Sequence, residues 1–200
     1  MSKEIWNTLY RADEYVYGKL PNEFFRSELD KLAVGKLLLP AEGEGRNAVY
    51  AAARGWDVRA LDQSEEGQKK ALLLAQETGV KISYDISDIL TADFHTDEFD
   101  AIALIFVHLP SLNRVGFHHQ VSRWLKPGGT LIIEAFSKEQ ANFTSGGPKD
   151  PDMLFSSESL ADDFKSLKIL MNNKLMVFHN EGAFHRGEAS VIRLIATKQL

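Results

Sequence analysis

The stretch from Lys36 to Asp62, KLLLPAEGEGRNAVYAAARGWDVRALD, constrains the fold more than any other. Lys36 to Pro40 reads as a strand, and glycines follow at 43 and 45. Asn47 to Arg54 is a helix of mostly small residues, and Val58 to Leu61 is a second strand that ends at Asp62. A strand, a glycine turn, a helix and a second strand closed by an acid make a βαβ unit. Repeated, such units give a mostly parallel sheet covered by helices.

The remainder continues the alternation. Glu65 to Glu77 is helical in composition and stops at Gly79, and Lys81 to Tyr84 is a third strand. Ala101 to Val107, AIALIFV, is an unbroken apolar run and so a fourth strand buried on both faces. A helix over about Ser111 to Leu125, a turn at Pro127, Gly128 and Gly129, and a fifth strand from Thr130 to Phe136 follow. Ser137 to Asp152 is rich in glycine and proline and reads as a surface loop or lid. After a short helix near Ser157 to Phe164, strands over about Lys168 to His179 and Glu188 to Thr197 form an antiparallel pair at the sheet edge. The loop between them, Asn180 to Gly187, carries His185. The expected architecture is a three-layer α/β fold with a seven-stranded, mostly parallel sheet and an antiparallel last strand.

Two hundred residues with 44% hydrophobic content supply one ordinary core, so residues 1–200 are expected to form a single domain. Within it, 1–35 is a helical cap carrying Trp6, Tyr10, Tyr15, Tyr17, Phe24 and Phe25, and 36–200 is the core. A net charge of −5, with no basic run longer than Lys69 and Lys70, argues against a phosphate-reading surface and hence against nucleic acid as a partner. The absence of cysteine excludes disulfides and thiolate chemistry. No His/Asp/Glu spacing suggests a metal site. The amino terminus lacks an apolar leader and the apolar runs are strand-sized, so a cytoplasmic chain without a membrane partner is expected. Nothing in the sequence fixes an oligomeric state.

The glycine turn reads Gly43-x-Gly45-x-x-Ala48, with Asp62 nineteen residues after Gly43. Spacing alone fits any adenosine ligand, since glycines admit close backbone approach and a terminal acid accepts from ribose hydroxyls. It also fits a turn with a purely structural role. Charge separates the ligands: Glu42 and Glu44 would repel a pyrophosphate in a partly desolvated site. S-adenosylmethionine brings no phosphate. Donors at the helix start suit its carboxylate, and an acid such as Glu42 suits its cationic end.

In EGEGRNAVYAA (Glu42 to Ala52), ALDQS (Ala60 to Ser64), SDIL (Ser87 to Leu90), FDAIALIFVHLP (Phe99 to Pro110) and LKPGGTLIIEAF (Leu125 to Phe136), the chain resembles the class I S-adenosylmethionine-dependent methyltransferases. The GRN tripeptide at Gly45 to Asn47, YGKLPNEF at Tyr17 to Phe24 and GGPKDPDML at Gly146 to Leu154 resemble the small bacterial tellurite-resistance and thiopurine types. The resemblance implies S-adenosylmethionine as cofactor, with S-adenosylhomocysteine as product. It implies cofactor contacts from Glu42, Gly43, Glu44, Gly45, Arg46 and Asn47 in the turn, and from Asp62, Gln63 and Ser64 after the second strand. Asp88 and the backbone of Ile89 would meet the adenine edge, with Ser87 next to them and Phe106 and Val107 beside the cofactor. Asp88 also fits a turn or cap after the third strand, and Arg46 fits an ion pair with Glu42 or Glu44. One departure stands out: Leu39 occupies the position where the family carries an acid, and Ala41 that of the first glycine. Glu42 is the candidate replacement for the missing carboxylate.

Methyl transfer from a sulfonium is an in-line displacement that alignment and water exclusion can drive. A soft acceptor such as a thiol or chalcogen compound needs no base, whereas a hydroxyl or amine does. His108 and His185 are the candidate bases, each with a structural alternative. Tyr17 matches the family position that closes over cofactor and acceptor. His118 and His119 are expected partly exposed and without a role. The expected function is methyl transfer to a small-molecule acceptor. Its rivals are a non-catalytic S-adenosylmethionine-binding sensor or partner subunit, and an NAD(P)-dependent oxidoreductase.

Overall fold

Strand order in the computed structural model, which describes residues 2–200, is β3-β2-β1-β4-β5-β7-β6 in one seven-stranded sheet flanked by helices. Met1, the first residue of the expected cap, lies outside the described residues. The chain divides into two compact units. One runs to Ala92 and includes Glu181–Phe184; the other comprises Asp93–Asn180 and His185–Leu200.

In the first unit, helices α1 (Lys3–Tyr10) and α2 (Glu23–Leu29) form the cap, the latter started by Asn22, whose side chain accepts from Phe25 N. Strands β1 (Lys36–Pro40), β2 (Asp57–Asp62) and β3 (Ser83–Ile86) pair in parallel, with Leu37 opposite Val58 and Asp62 opposite Ile86. Leu37, Leu38 and Leu39 are fully buried. Apolar side chains therefore occupy both faces of β1, and Leu39, where an acid was expected, is part of the core. Helix α3 (Arg46–Ala53) buries its small residues Ala48, Val49 and Ala51. Helix α4 (Glu65–Thr78) is capped by Ser64, which accepts from Gly67 N, and ended by the left-handed Gly79.

The second unit holds β4 (Phe99–Ile105), α5 (Ser111–Trp124), β5 (Leu125–Phe136), α6 (Ser157–Asp163), β6 (Lys168–Glu181, to Asn180 in this unit) and β7 (His185–Thr197). β4 is parallel to β5, and β5 antiparallel to β7. Several boundaries differ from the sequence reading. β4 ends before Phe106 because that residue adopts φ +56°, which no strand continues through. Pro127 to Gly129 form a bulge inside β5: Phe99 pairs with Leu125 but Ala101 with Thr130.

Ser137 to Asp152 is not a free lid. It contains 3-10 helices at Lys138–Asn142 and Pro151–Met153 and a buried Gln140. Gln140 donates to Ser145 Oγ and Gly146 O and accepts from Ser190 N, which ties the loop to β7. His185 is the first residue of β7 rather than a loop residue, because pairing of the last strands continues nearly to the turn; it is 5% exposed. His118, expected near the surface, is buried on α5 beside Asp163.

Candidate functional site

The turn between β1 and α3 is built on left-handed backbone at alternate residues: Ala41 (φ 53°), Gly43 (φ 62°) and Gly45 (φ 86°). Gly45 has no substitute, since a β-carbon there would lie 2.5 Å from that of Ala71 on α4. At Gly43 a β-carbon would come within 2.7 Å of the Tyr10 hydroxyl. Gly67 lets α4 approach as closely, its own β-carbon position being 2.9 Å from Gly43 O. The turn is stitched down by Glu42 N to Leu61 O (3.1 Å) and by the Tyr84 hydroxyl donating to Gly43 O (2.5 Å).

Two carboxylates organise this turn. Asp62, at the end of β2, accepts from Gly43 N (3.0 Å) at Oδ2 and from Ser64 N (2.8 Å) at Oδ1. Each oxygen retains acceptor capacity. Burial raises its pKa, opposed by those backbone donors. Glu42 bends over the start of α3: Oε1 accepts from Asn47 N (2.9 Å) and Ala48 N (2.7 Å), and Oε2 has a long 3.4 Å contact with Asn47 Nδ2. An internal acid thus caps the positive end of the helix. Glu42 keeps part of its surface open, yet its carboxyl is closely surrounded; burial raises its pKa to about 7 against the backbone donors and Arg46.

The other turn residues face different partners. Glu44 accepts from Lys70 Nζ (2.7 Å) and Val16 N (2.8 Å) and is 4% exposed, so its charge is paired inside the protein. Arg46 pairs with Glu181 (2.8 Å) and donates to Tyr17 O (3.1 Å) rather than pairing with Glu42 or Glu44, one of the two alternatives the sequence left open. Asn47 Oδ1 accepts from Asn22 N (2.9 Å). Ser64 is the α4 cap, its hydroxyl donating to Asn7. Gln63 follows Asp62 and is half-buried. Ser87 N donates to Asp62 O, and Asp88 Oδ1 accepts from Leu90 N in an exposed turn, with Ile89 half-buried beside it. Tyr17 is half-buried; desolvation first, then Glu44, push its hydroxyl up to about 12.

Phe106, Val107, His108 and His185 belong to the second unit. His108 lies 2.8 Å from Met153 O through Nδ1, and Nε2 accepts from Phe136 N at 3.3 Å. Both ring nitrogens are engaged and the ring is neutral, with burial lowering its pKa to about 4. A base needs an available lone pair, and here the backbone holds it. The Phe106 ring packs against those of His185 (4.5 Å), Phe136 (4.7 Å) and His179 (5.4 Å). Val107 is buried. Among the described residues no group of three or more His, Cys, Asp or Glu is placed to hold a metal, and no helix is long and apolar enough to cross a membrane.

Sequence reasoning missed the roles of Tyr10 and Tyr84 at Gly43 and of Glu181 at Arg46. Glu181 lies 135 residues from its partner, and no local pattern joins them.

Residues 40–129 match the family described as a methyltransferase domain. No curated protein matches. Three similar solved structures span nearly the whole chain. One, from work on the conversion of a disulfide bond into a thioacetal group during echinomycin biosynthesis, is 16% identical, covers 98% of this chain and 91% of that one, and has a TM-score of 0.81. TehB from Haemophilus influenzae is 18% identical over 98% of this chain and 67% of its own, with a TM-score of 0.75. A SAM-dependent methyltransferase from Methanosarcina mazei is 18% identical over 90% and 99%, with a TM-score of 0.70. Such identities establish a shared fold, and the domain match supplies the family likeness.

Proposed function

We propose that this chain, whose fold and whose residues 40–129 are those of a class I S-adenosylmethionine-dependent methyltransferase, moves a methyl group from that cofactor to a small-molecule acceptor. The observation that carries the reading is Glu42 capping α3. In a dinucleotide site the first N–H groups of this helix meet the pyrophosphate. Here an internal carboxylate already takes the donors of Asn47 and Ala48, so a phosphate would meet negative charge and two engaged donors. A ligand carrying a cation and ribose hydroxyls fits the same groups.

The cofactor, when bound, supplies a methyl group on a sulfonium, and its departure leaves a neutral thioether. Glu42 offers Oε2, its less engaged oxygen, to the ammonium end and so takes the place of the acid absent at Leu39. Asp62 accepts from the ribose hydroxyls on the capacity its backbone donors leave open. Gly43 and Gly45 admit the ligand close to backbone, and Asp88 with Ile89 N–H meets the adenine edge.

The engaged nitrogens of His108 favour an acceptor that needs no base, such as a thiol or a chalcogen compound. The sulfur chemistry of the echinomycin-related structure supports that class. We place the activity in the cytoplasm, with neither nucleic acid nor membrane as partner. The same observation at His108 also favours a second reading, a non-catalytic S-adenosylmethionine-binding sensor or partner subunit.

Calorimetric titration with S-adenosylhomocysteine and with NAD tests the cofactor. Binding of the first is expected, and binding of NAD alone overturns the reading. Asp62→Ala is expected to weaken S-adenosylhomocysteine at least tenfold, about 1.4 kcal/mol. A screen of thiols, chalcogen oxyanions, phenols and amines for methyl transfer separates enzyme from sensor.

A further inference from the structure

Residues 16–18 cross the glycine turn as a strap, and groups from two directions hold their backbone. Val16 N donates to Glu44 Oε2 in the turn (2.8 Å). Val16 O accepts from Ala183 N (3.1 Å), at the tip between β6 and β7. Tyr17 O accepts from Arg46 Nη1 (3.1 Å), and the same guanidinium pairs through Nη2 with Glu181 (2.8 Å), also at the tip. Arg46 and Glu181 are 8% and 13% exposed, so each charge depends on the other for compensation. Asn22 Nδ2 adds a bond to Glu181 Oε1 (3.1 Å). Gly182 (φ 68°) completes the fit: a β-carbon there would lie 2.2 Å from Val16 O and 2.7 Å from Gly18 N. Backbone thus packs directly on backbone.

The strap carries Tyr17 and directly follows Tyr15, whose hydroxyl donates to Lys70 O on α4. Its polar contacts reach residues 44 and 46 of the glycine turn and residue 183 of the tip, and Arg46 links it onward to Glu181. Opening this strap breaks the Val16 O bond to Ala183 N at the tip and takes Tyr17 O from Arg46, whose guanidinium Glu181 holds in place.

We propose that Glu181 is a positioning residue: through Arg46 it fixes the strap that closes over the glycine turn, and so sets how slowly a ligand leaves that turn. This rests on the cofactor reading above, and its test separates the two. In the full chain without ligand, amide exchange of residues 15–18 is measured for wild type, Glu181→Gln and Gly182→Ala, beside the whole-chain unfolding midpoint. Exchange there is expected to quicken about tenfold in both variants while the slowest amides of β1 and β5 are unchanged. S-adenosylhomocysteine is then expected to dissociate about tenfold faster. In any methyl-transfer assay found, KM for the cofactor should rise with kcat held, the mark of lost uniform binding.

Unchanged exchange at 15–18, or an unchanged dissociation rate, overturns the proposal. So does faster exchange spread evenly over the chain with a lowered midpoint, which marks a merely structural role. Failure of wild type to bind S-adenosylhomocysteine counts against the cofactor reading instead, and the exchange measurement on the ligand-free chain still decides the strap.

Discussion

Each unit buries carboxylates, but they differ in what partners them: an arginine and a histidine at Asp163, backbone N–H groups at Asp62 and Glu42. In the second unit Asp163 accepts on one oxygen from both Arg114 Nε (2.8 Å) and His118 Nδ1 (2.9 Å), while the His118 ring stacks on Phe164. His108 is likewise engaged at both nitrogens, and Gln140 at both ends of its amide. In the first unit Asp62 and Glu42 hold the turn through backbone N–H groups and still have acceptor positions to offer. Side-chain partners neutralise a buried carboxylate; backbone partners fix its place without supplying an opposite charge. The pairing of Glu44 with Lys70 shows that the contrast also runs within a unit: of two glutamates in one turn, one is bonded to a charged side chain and the other to backbone and amide donors.

The sharpest way to break this contrast is Asp163→Ala. It strands a buried guanidinium, so a loss of about 4 kcal/mol in chemical denaturation is expected. The folded fraction should keep its S-adenosylhomocysteine affinity within about twofold. A large loss of affinity would mean that the two units do not divide the labour as described.

Gly45→Ala comes next. A β-carbon 2.5 Å from Ala71 combined with φ 86° predicts a loss of about 3 kcal/mol, read by the same denaturation curves. A cost below about 1 kcal/mol would show that α3 and α4 move apart easily.

Opposite pH dependences offer a third comparison. Glu42 has its folded pKa raised from 4.5 to about 7, so the folded chain binds the extra proton and this residue's contribution to stability falls as pH rises from about 4.5 through 7. His108, lowered from 6.5 to about 4, does the reverse: its contribution is lost as pH falls from about 6.5 towards 4. Ligand-free Glu42→Gln is therefore expected to exceed wild type in melting temperature at pH 8 and to converge with it near pH 4. A cation at Glu42 requires the ionised form, so S-adenosylhomocysteine affinity should drop up to about tenfold per pH unit below 7 in wild type and lose that dependence in the variant. A pH-independent affinity in wild type would place the ammonium group elsewhere.

The smallest effect belongs to Ala41. A non-glycine residue at φ 53° carries strain of about 1 kcal/mol, so Ala41→Gly is expected to change stability by less than about 1 kcal/mol, because glycine also costs more entropy to order. Differential scanning calorimetry resolves a shift of that size.

Much of the first unit was legible because its determinants are adjacent in the chain. KLLLP, the paired glycines, Asp62, and the Ser64 and Gly79 ends of α4 state their geometry within a few residues. What sequence could not state were partners brought together from a distance. Tyr84 reaches Gly43 O across 41 positions, and Arg46 finds Glu181 rather than the glutamates beside it. In the second unit the misplacements have separate causes. Phe106 ends β4 early by its own backbone conformation, and cross-strand pairing draws His185 out of a loop into β7. Neither residue's type announces this. The glycines and prolines of 137–152 suggested a surface loop or lid, yet Ser137, Ser145 and Gln140 bond inward to Ser190 and Glu188.

Tyr10 does more than fill the space above Gly43. Its ring stacks on Trp6 at 5.4 Å, so an indole stands one ring away from the turn. Trp124 is 1% exposed and Trp56 5% exposed, both sunk in the protein. The half-buried Trp6 is therefore a fluorophore already wired to the glycine turn, and its emission should report ligand arrival without any added label.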